Sequence, residues 1–250
     1  MASLSAGLGY VLSRPALRRA QAAAIPVLAG ASLLFGLGYG LGAVMGEIGG
    51  TSYFAFLAAG FVASSAMYAA TFEALFSAFS RMHVQKTWEA IVNAPMTLDD
   101  VLLGEWAWTV TKAFAAGVCM LVVIALFGYA KSLLALAAIP VVVLIGLAFG
   151  GLGLVINALA SGYDFFSYYL TLVLTPMMML SGVFFPVEQL PGVIQAIAMA
   201  LPLYHGVETV RPLLSGTLPA YLLVHIAVLA GYAAAGFYLA TVLTRRRLLR

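Results

Sequence analysis

The chain is built of long apolar blocks separated by short polar intervals. Six blocks stand out, at residues 20–46, 52–79, 105–127, 133–160, 164–185 and 219–244. Each reaches the ~20 residues that a helix needs to cross ~30 Å of hydrocarbon. The pattern predicts an all-α polytopic membrane protein with six transmembrane helices, forming one transmembrane domain over residues 1–250. Proline and glycine inside the blocks do not oppose this, because membrane helices tolerate both.

The longest polar interval, residues 80–104, has internal order. Val84, Trp88, Ile91 and Val92 recur at helical spacing and share one face, while Gln85, Lys86, Glu89 and Asn93 fall on the other. Ala94-Pro95 ends this short amphipathic helix, since proline disfavours the α conformation of the residue before it. Thr97, three residues before Asp100, then starts a new helix with a capping-box pattern. The interval therefore predicts a helix, a break and a capped helix, and it is the expected place for another protein to push on this one.

Two further segments depart from simple spans. Residues 1–19 mix apolar side chains with Arg14, Arg18 and Arg19 and predict a helix lying on the inner leaflet, in contact with anionic lipids. Within residues 186–218, the apolar run 191–201 is bracketed by Pro186, Pro191 and Pro202 and is too short to cross, so it predicts an outer re-entrant or interfacial helix. Pro191 suits its first turn, where a missing N–H costs nothing.

Composition and charge fix class and orientation. A hydrophobic fraction of 64% and a mean hydropathy of +1.06 exclude a soluble globular protein. Arg14, Arg18, Arg19, Arg81, Lys86 and the cluster Arg245, Arg246, Arg247 and Arg250 fall on the side of the termini and the 80–104 loop. Only Lys131 and Arg211 fall on the other, with Lys112 inside a span. This asymmetry places both termini and the 80–104 loop in the cytoplasm. The bases flank apolar blocks instead of gathering with aromatics, so nucleic acid is not an expected partner. The single cysteine, Cys119, lies inside an apolar block and is expected as a buried structural thiol.

Catalytic chemistry is sought without result. The three histidines are scattered, no metal-ligand or nucleophile motif occurs, and no lysine follows a phosphate-binding glycine loop. No catalytic or metal-binding residue is assigned, and energy must come from a partner or an ion gradient. Among ionisable residues inside spans, Glu73 and Lys112 lie at similar depth, roughly 10 Å from the cytoplasmic ends of consecutive antiparallel spans. They are expected to form an intramembrane ion pair.

The fifth block carries Phe165, Phe166, Tyr168 and Tyr169 near its inner end, Met177, Met178 and Met179 beyond its middle, and Phe184 and Phe185 at its outer end. Pro176 is expected to kink it. Flexible methionines suit varied apolar chains and aromatic faces suit sugar rings. Tyr168, Tyr169, Met177 and Met178 are therefore expected to line a substrate path, with Phe184 and Phe185 as an outer gate.

These residues carry a resemblance. Thr87-Trp88-Glu89, Ala94-Pro95-Met96-Thr97, Asp99-Asp100 and Gly104-Glu105 resemble the coupling region of type-2 ABC-exporter permeases. Ser181 through Pro186, Leu190-Pro191, Leu201-Pro202-Leu203, His205 and Arg211 resemble the same family's outer signature. The branch they resemble is that of NodJ-type lipo-oligosaccharide permeases, related to polysaccharide and drug exporters. The resemblance covers essentially the whole chain. It implies a homodimer in a bacterial inner membrane with two copies of a separate P-loop ATPase. ATP and Mg are bound by that partner and no cofactor by this chain. It also implies that Lys86, Thr87, Trp88, Glu89, Ile91, Val92 and Pro95 couple the chain to the ATPase. The competing expectation is an ion-coupled secondary transporter using Glu73 and Lys112; missing internal repeats and few midplane charges count against it. An intramembrane enzyme is a third, disfavoured by the lack of a catalytic cluster.

Overall fold

The computed structural model describes residues 28, 30–48, 50–88, 97–130 and 132–248. The expected surface helix over residues 1–19, and Glu89, Ile91, Val92 and Pro95 of the 80–104 loop, lie outside the described residues. The rest is almost wholly helical. α1 (Gly30–Met45) leads into a short antiparallel ribbon of β1 (Glu47–Ile48) and β2 (Thr51–Ser52), with Glu47 opposite Ser52. α2 (Tyr53–Val84) follows, then α3 (Leu98–Leu126) and α4 (Leu133–Leu159). Residues 163–180 form α5; α6 (Gly192–Ala200) and α7 (Pro202–Ser215) meet at 87°, and α8 (Leu222–Leu248) ends the described chain.

α2 is the pillar around which the others pack. Its apolar stretch is 83% buried, against 22% for α8. The sequence explains this, because Ala58, Ala59, Gly60, Ala63, Ala66, Ala70, Ala74 and Ala78 are small enough for neighbouring backbones to approach. A methyl on Gly60 would lie 2.9 Å from the Val183 Cα. α4 and α8 use the same device, since a Cβ on Gly236 would stand 3.0 Å from the backbone of Gly151.

α2, α3, α4 and α8 are each long and apolar enough to cross a membrane, and α6 with α7 adds a fifth if the bent pair is one span. This defines a polytopic helical membrane protein. Residues 163–180 are helical but carry Asp164 and three tyrosines, and the described part of α1 is shorter than a span. The segment between the fifth and sixth expected spans holds more structure than one re-entrant helix. α7 is a regular amphipathic helix with Leu203, Val207, Val210 and Leu214 buried, and it ends at Gly216 in a left-handed conformation (φ 86) that glycine adopts freely. Pro176 is accommodated by a π turn at Leu170–Leu174, which carries the backbone past the proline ring. Cys119 is exposed on α3, not buried as expected. α3 is apolar on every side, so its sequence does not mark which face turns inward.

Candidate coupling and translocation sites

At the end of the molecule that carries the 80–104 loop, α2 passes through two π turns, Glu73–Ser77 and Ser80–Val84. They hold Glu73 and Arg81 on the side facing α3. Arg81 Nε donates to Glu105 Oε1 at 2.7 Å, and Arg81 Nη2 donates both to Glu105 Oε2 at 2.5 Å and to Glu73 Oε1 at 3.0 Å. Glu105 Oε1 also accepts from the Trp88 indole N–H at 3.0 Å. Trp88 is 2% exposed, so the loop is pinned where it leaves α2. The Thr87 hydroxyl adds a bond to the Arg81 carbonyl at 3.0 Å. Lys86 is exposed and has a left-handed backbone (φ 52). Val84 is 66% exposed and does not share the buried face of Trp88. α3 then starts with the full reciprocal capping box, Thr97 and Asp100 bonding each other's backbone N–H.

The expected Glu73–Lys112 pair is not made. Glu73 pairs with Arg81, and Lys112 Nζ instead lies 5.3 Å from the centroid of the Trp108 ring. The reason is register. Glu73 lies level with Glu105 across Arg81, and Lys112 is two turns farther along α3. Sequence reasoning treated Arg81 only as an orientation signal and Glu105 only as part of the coupling-region resemblance. The available clue was an acidic residue at the start of one span facing a basic residue at the end of the previous one. α8 closes this end: Arg245 forms a forked pair with Asp99, and Arg247 Nη1 caps the α4 carbonyls of Asn157 and Ala158, each at 3.0 Å.

At the far end, the segment after α5 is fastened to α2 and α7. The Tyr53 hydroxyl donates to the Phe184 carbonyl at 3.2 Å, and Phe184 meets Phe61 edge-on with centroids 6.1 Å apart. Arg211 donates to the Gly182 carbonyl, pairs with Glu208, and lies 4.0 Å over the Phe56 ring. His205 and His225 meet in the contact between α7 and α8.

Between α1, α2 and α5 lies a cavity of about 420 Å³ lined by Gly30, Leu33, Leu37, Phe61, Ser64, Ser65, Tyr68, Phe72, Met178 and Phe184. Of the expected path residues, Met178 and Phe184 line it. Met177 and Tyr169 are buried in packing, Tyr168 is 65% exposed on the outer side of α5, and Phe185 is half-buried away from the cavity. The sequence reading did not find the α2 contribution. Ser64 is notable there, because its hydroxyl is buried and has no hydrogen-bond partner among the described residues.

A helical membrane domain with a pinned polar loop at one end and an apolar cavity opening between helices is the build of a permease. The ABC-2 type transporter family profile matches residues 12–214, and the chain belongs to that family. It is therefore a permease component, in a family whose ATPase is a separate subunit. Among known proteins it is 52% identical to nodulation protein J of Rhizobium leguminosarum bv. trifolii over 217 residues, covering 87% of this chain and 83% of that one. It is 49% identical to nodulation protein J of Rhizobium meliloti (strain 1021), covering 86% and 82%. A probable multidrug ABC transporter permease, YbhS of Escherichia coli (strain K12), is 30% identical over 65% of this chain and 44% of its own length.

Proposed function

We propose that this chain is the membrane subunit of an ABC exporter that moves an amphiphile, such as a lipid-linked oligosaccharide, a polysaccharide or a drug-like lipid, outward across a bacterial inner membrane. Two copies of the chain form a homodimer, and two copies of a P-loop ATPase dock at the 80–104 loop and hydrolyse ATP. With six spans both termini lie on one side, the excess of basic residues there and in that loop favours the cytoplasm, and α6 with α7 forms the outer re-entrant segment. The observation that carries this reading is the similarity to the nodulation proteins over most of both chains. The cavity supports it: an almost wholly apolar lining suits an acyl tail, and the aromatic rings in that lining suit sugars. An ion-coupled transporter finds no support, since Glu73 is tied to Arg81.

The test is reconstitution of the chain with a P-loop ATPase that co-purifies with it. Inside-out vesicles should accumulate an acylated oligosaccharide when given ATP and keep doing so after an ionophore collapses ion gradients. Accumulation that ignores ATP and stops with the ionophore would overturn the proposal.

A further inference from the structure

An α-helix turns about 100° per residue, so residues eight apart fall about 80° off a common line. Glu73 and Arg81 are eight apart on α2 and still meet, because the π turn Glu73–Ser77 underwinds the helix between them; a second π turn, Ser80–Val84, begins just before Arg81. Underwound turns of this kind are often found at functional sites. Their product here is one guanidinium bridging carboxylates on two helices, α2 and α3. The Trp88 indole is bonded to the same Glu105 oxygen that accepts from Arg81 Nε. Two carboxylates share one guanidinium, so the indole N–H meets an acceptor with negative charge to spare, and that bond is charge-assisted. Stability alone does not call for such a cluster, since apolar residues of equal volume often serve a buried site as well or better.

We infer that Arg81 and Glu105 are positioning residues for coupling. Trp88 is the point where the loop is hooked to the membrane helices. Through Glu105, a displacement of the loop reaches α3, and through Arg81 it reaches the π turns of α2. A single joint thus moves two spans together. The inference rests on the proposed docking of an ATPase at the 80–104 loop.

The experiment uses the permease–ATPase complex in lipid nanodiscs, in a Cys119→Ala, Val193→Cys parent carrying an environment-sensitive fluorophore. Val193 is 77% exposed on α6, at the end opposite the joint. Trapping with Mg-ATP and vanadate should change the emission in the parent. In Trp88→Phe, which keeps the ring and loses the N–H, and in Glu105→Gln, the change should shrink about tenfold. Complex formation and ATP hydrolysis are measured in every variant, so that a loss of signal is read against any loss of complex. Arg81→Lys should behave like Glu105→Gln, because an ammonium lacks the fork that holds two carboxylates. An unchanged signal in Trp88→Phe and Glu105→Gln overturns the inference and leaves the exporter reading standing. So does a loss of signal that only tracks a loss of complex, which would make the cluster a structural staple. A parent that hydrolyses ATP only as the free ATPase does, with no trapped-state change, removes the coupling reading and this inference with it.

Discussion

His205 Nδ1 stands 2.8 Å from His225 Nδ1, while His205 Nε2 stands 2.9 Å from the Met199 carbonyl oxygen. A carbonyl only accepts, so His205 Nε2 carries its proton, and in the neutral pair the proton between the two rings belongs to His225. The Tyr232 hydroxyl donates to the Ala200 carbonyl at 2.7 Å nearby. Together these bonds hold the 87° corner between α6 and α7 against α8. The Tyr204 ring lies against both imidazoles, and Glu208 and Arg211 pair with each other one turn farther along α7.

The pair makes the fold sensitive to acid. Burial holds the His205 imidazole below its ordinary value of about 6.5, and the close His225 ring adds to this, whereas an unfolded chain leaves it free to protonate. The unfolded state therefore binds more protons, and stability falls as pH drops through and below about 6.5. His205→Gln should shrink this loss, because a side-chain amide bonds without titrating. Thermal unfolding in detergent at about pH 7.5 and about pH 5 checks it, and equal losses in both proteins would count against the pair.

Glu73 and Arg81 should show energetic coupling, and Glu73 and Lys112 should not. Neutralising Arg81 leaves two buried carboxylates facing each other, so Arg81→Gln alone should destabilise more than Arg81→Gln combined with Glu73→Gln. A double-mutant cycle on unfolding should give an interaction of about 1–3 kcal/mol for Glu73/Arg81 and within about 0.5 kcal/mol of additivity for Glu73/Lys112. The reverse result would mean that the register of α2 against α3 is wrong.

The close approach of α2 to the segment after α5 is a packing claim with a direct test. A Cβ on Gly60 would meet the Val183 Cα at 2.9 Å and its carbonyl oxygen at 3.0 Å, and backbone cannot swing aside as a side-chain tip can. Gly60→Ala should destabilise by about 1–3 kcal/mol. Gly40→Ala, where nothing lies within 4 Å, is the control and should leave the unfolding temperature at or slightly above that of the parent.

How much of this was legible depends on range. Long apolar blocks announced α2, α3, α4 and α8, and Thr97 with Asp100 announced the start of α3, because those signals are local. The apolar pattern assigns no separate helix to residues 202–215 within the 186–218 segment, where Glu208, Arg211 and Pro212 interrupt it. The buried face of α7, with Leu203, Val207, Val210 and Leu214, was there to be counted. The partners of Arg81 were hidden by the π turns, since a regular helix would have turned Glu73 away from it. The His205–His225 contact was hidden too, because the two lie 20 residues apart across a turn that no local pattern sets. In the cavity, the methionine run pointed to Met178, but only packing reveals that Met177 faces the core.

Phe184 offers the sharpest test of the translocation path. Phe184 lines the cavity, its ring meets Phe61 edge-on, and its backbone is held by the Tyr53 hydroxyl. Phe185 is only half-buried and does not line the cavity, so the two phenylalanines first taken as one gate should not be equivalent. Phe184→Ala should enlarge the cavity and raise ATP hydrolysis of the reconstituted complex in the absence of substrate, with ATPase docking unchanged. Phe185→Ala should raise it less. Phe184→Ala should also lower stability, by up to about 3–5 kcal/mol for a fully buried ring and by less here, so Phe184→Leu serves as the milder variant. Tyr53→Phe removes one bond of about 1 kcal/mol and should loosen the same segment without changing the cavity wall. Equal hydrolysis in Phe184→Ala, Phe185→Ala and the parent would show that this end of α5 is packing and not a gate.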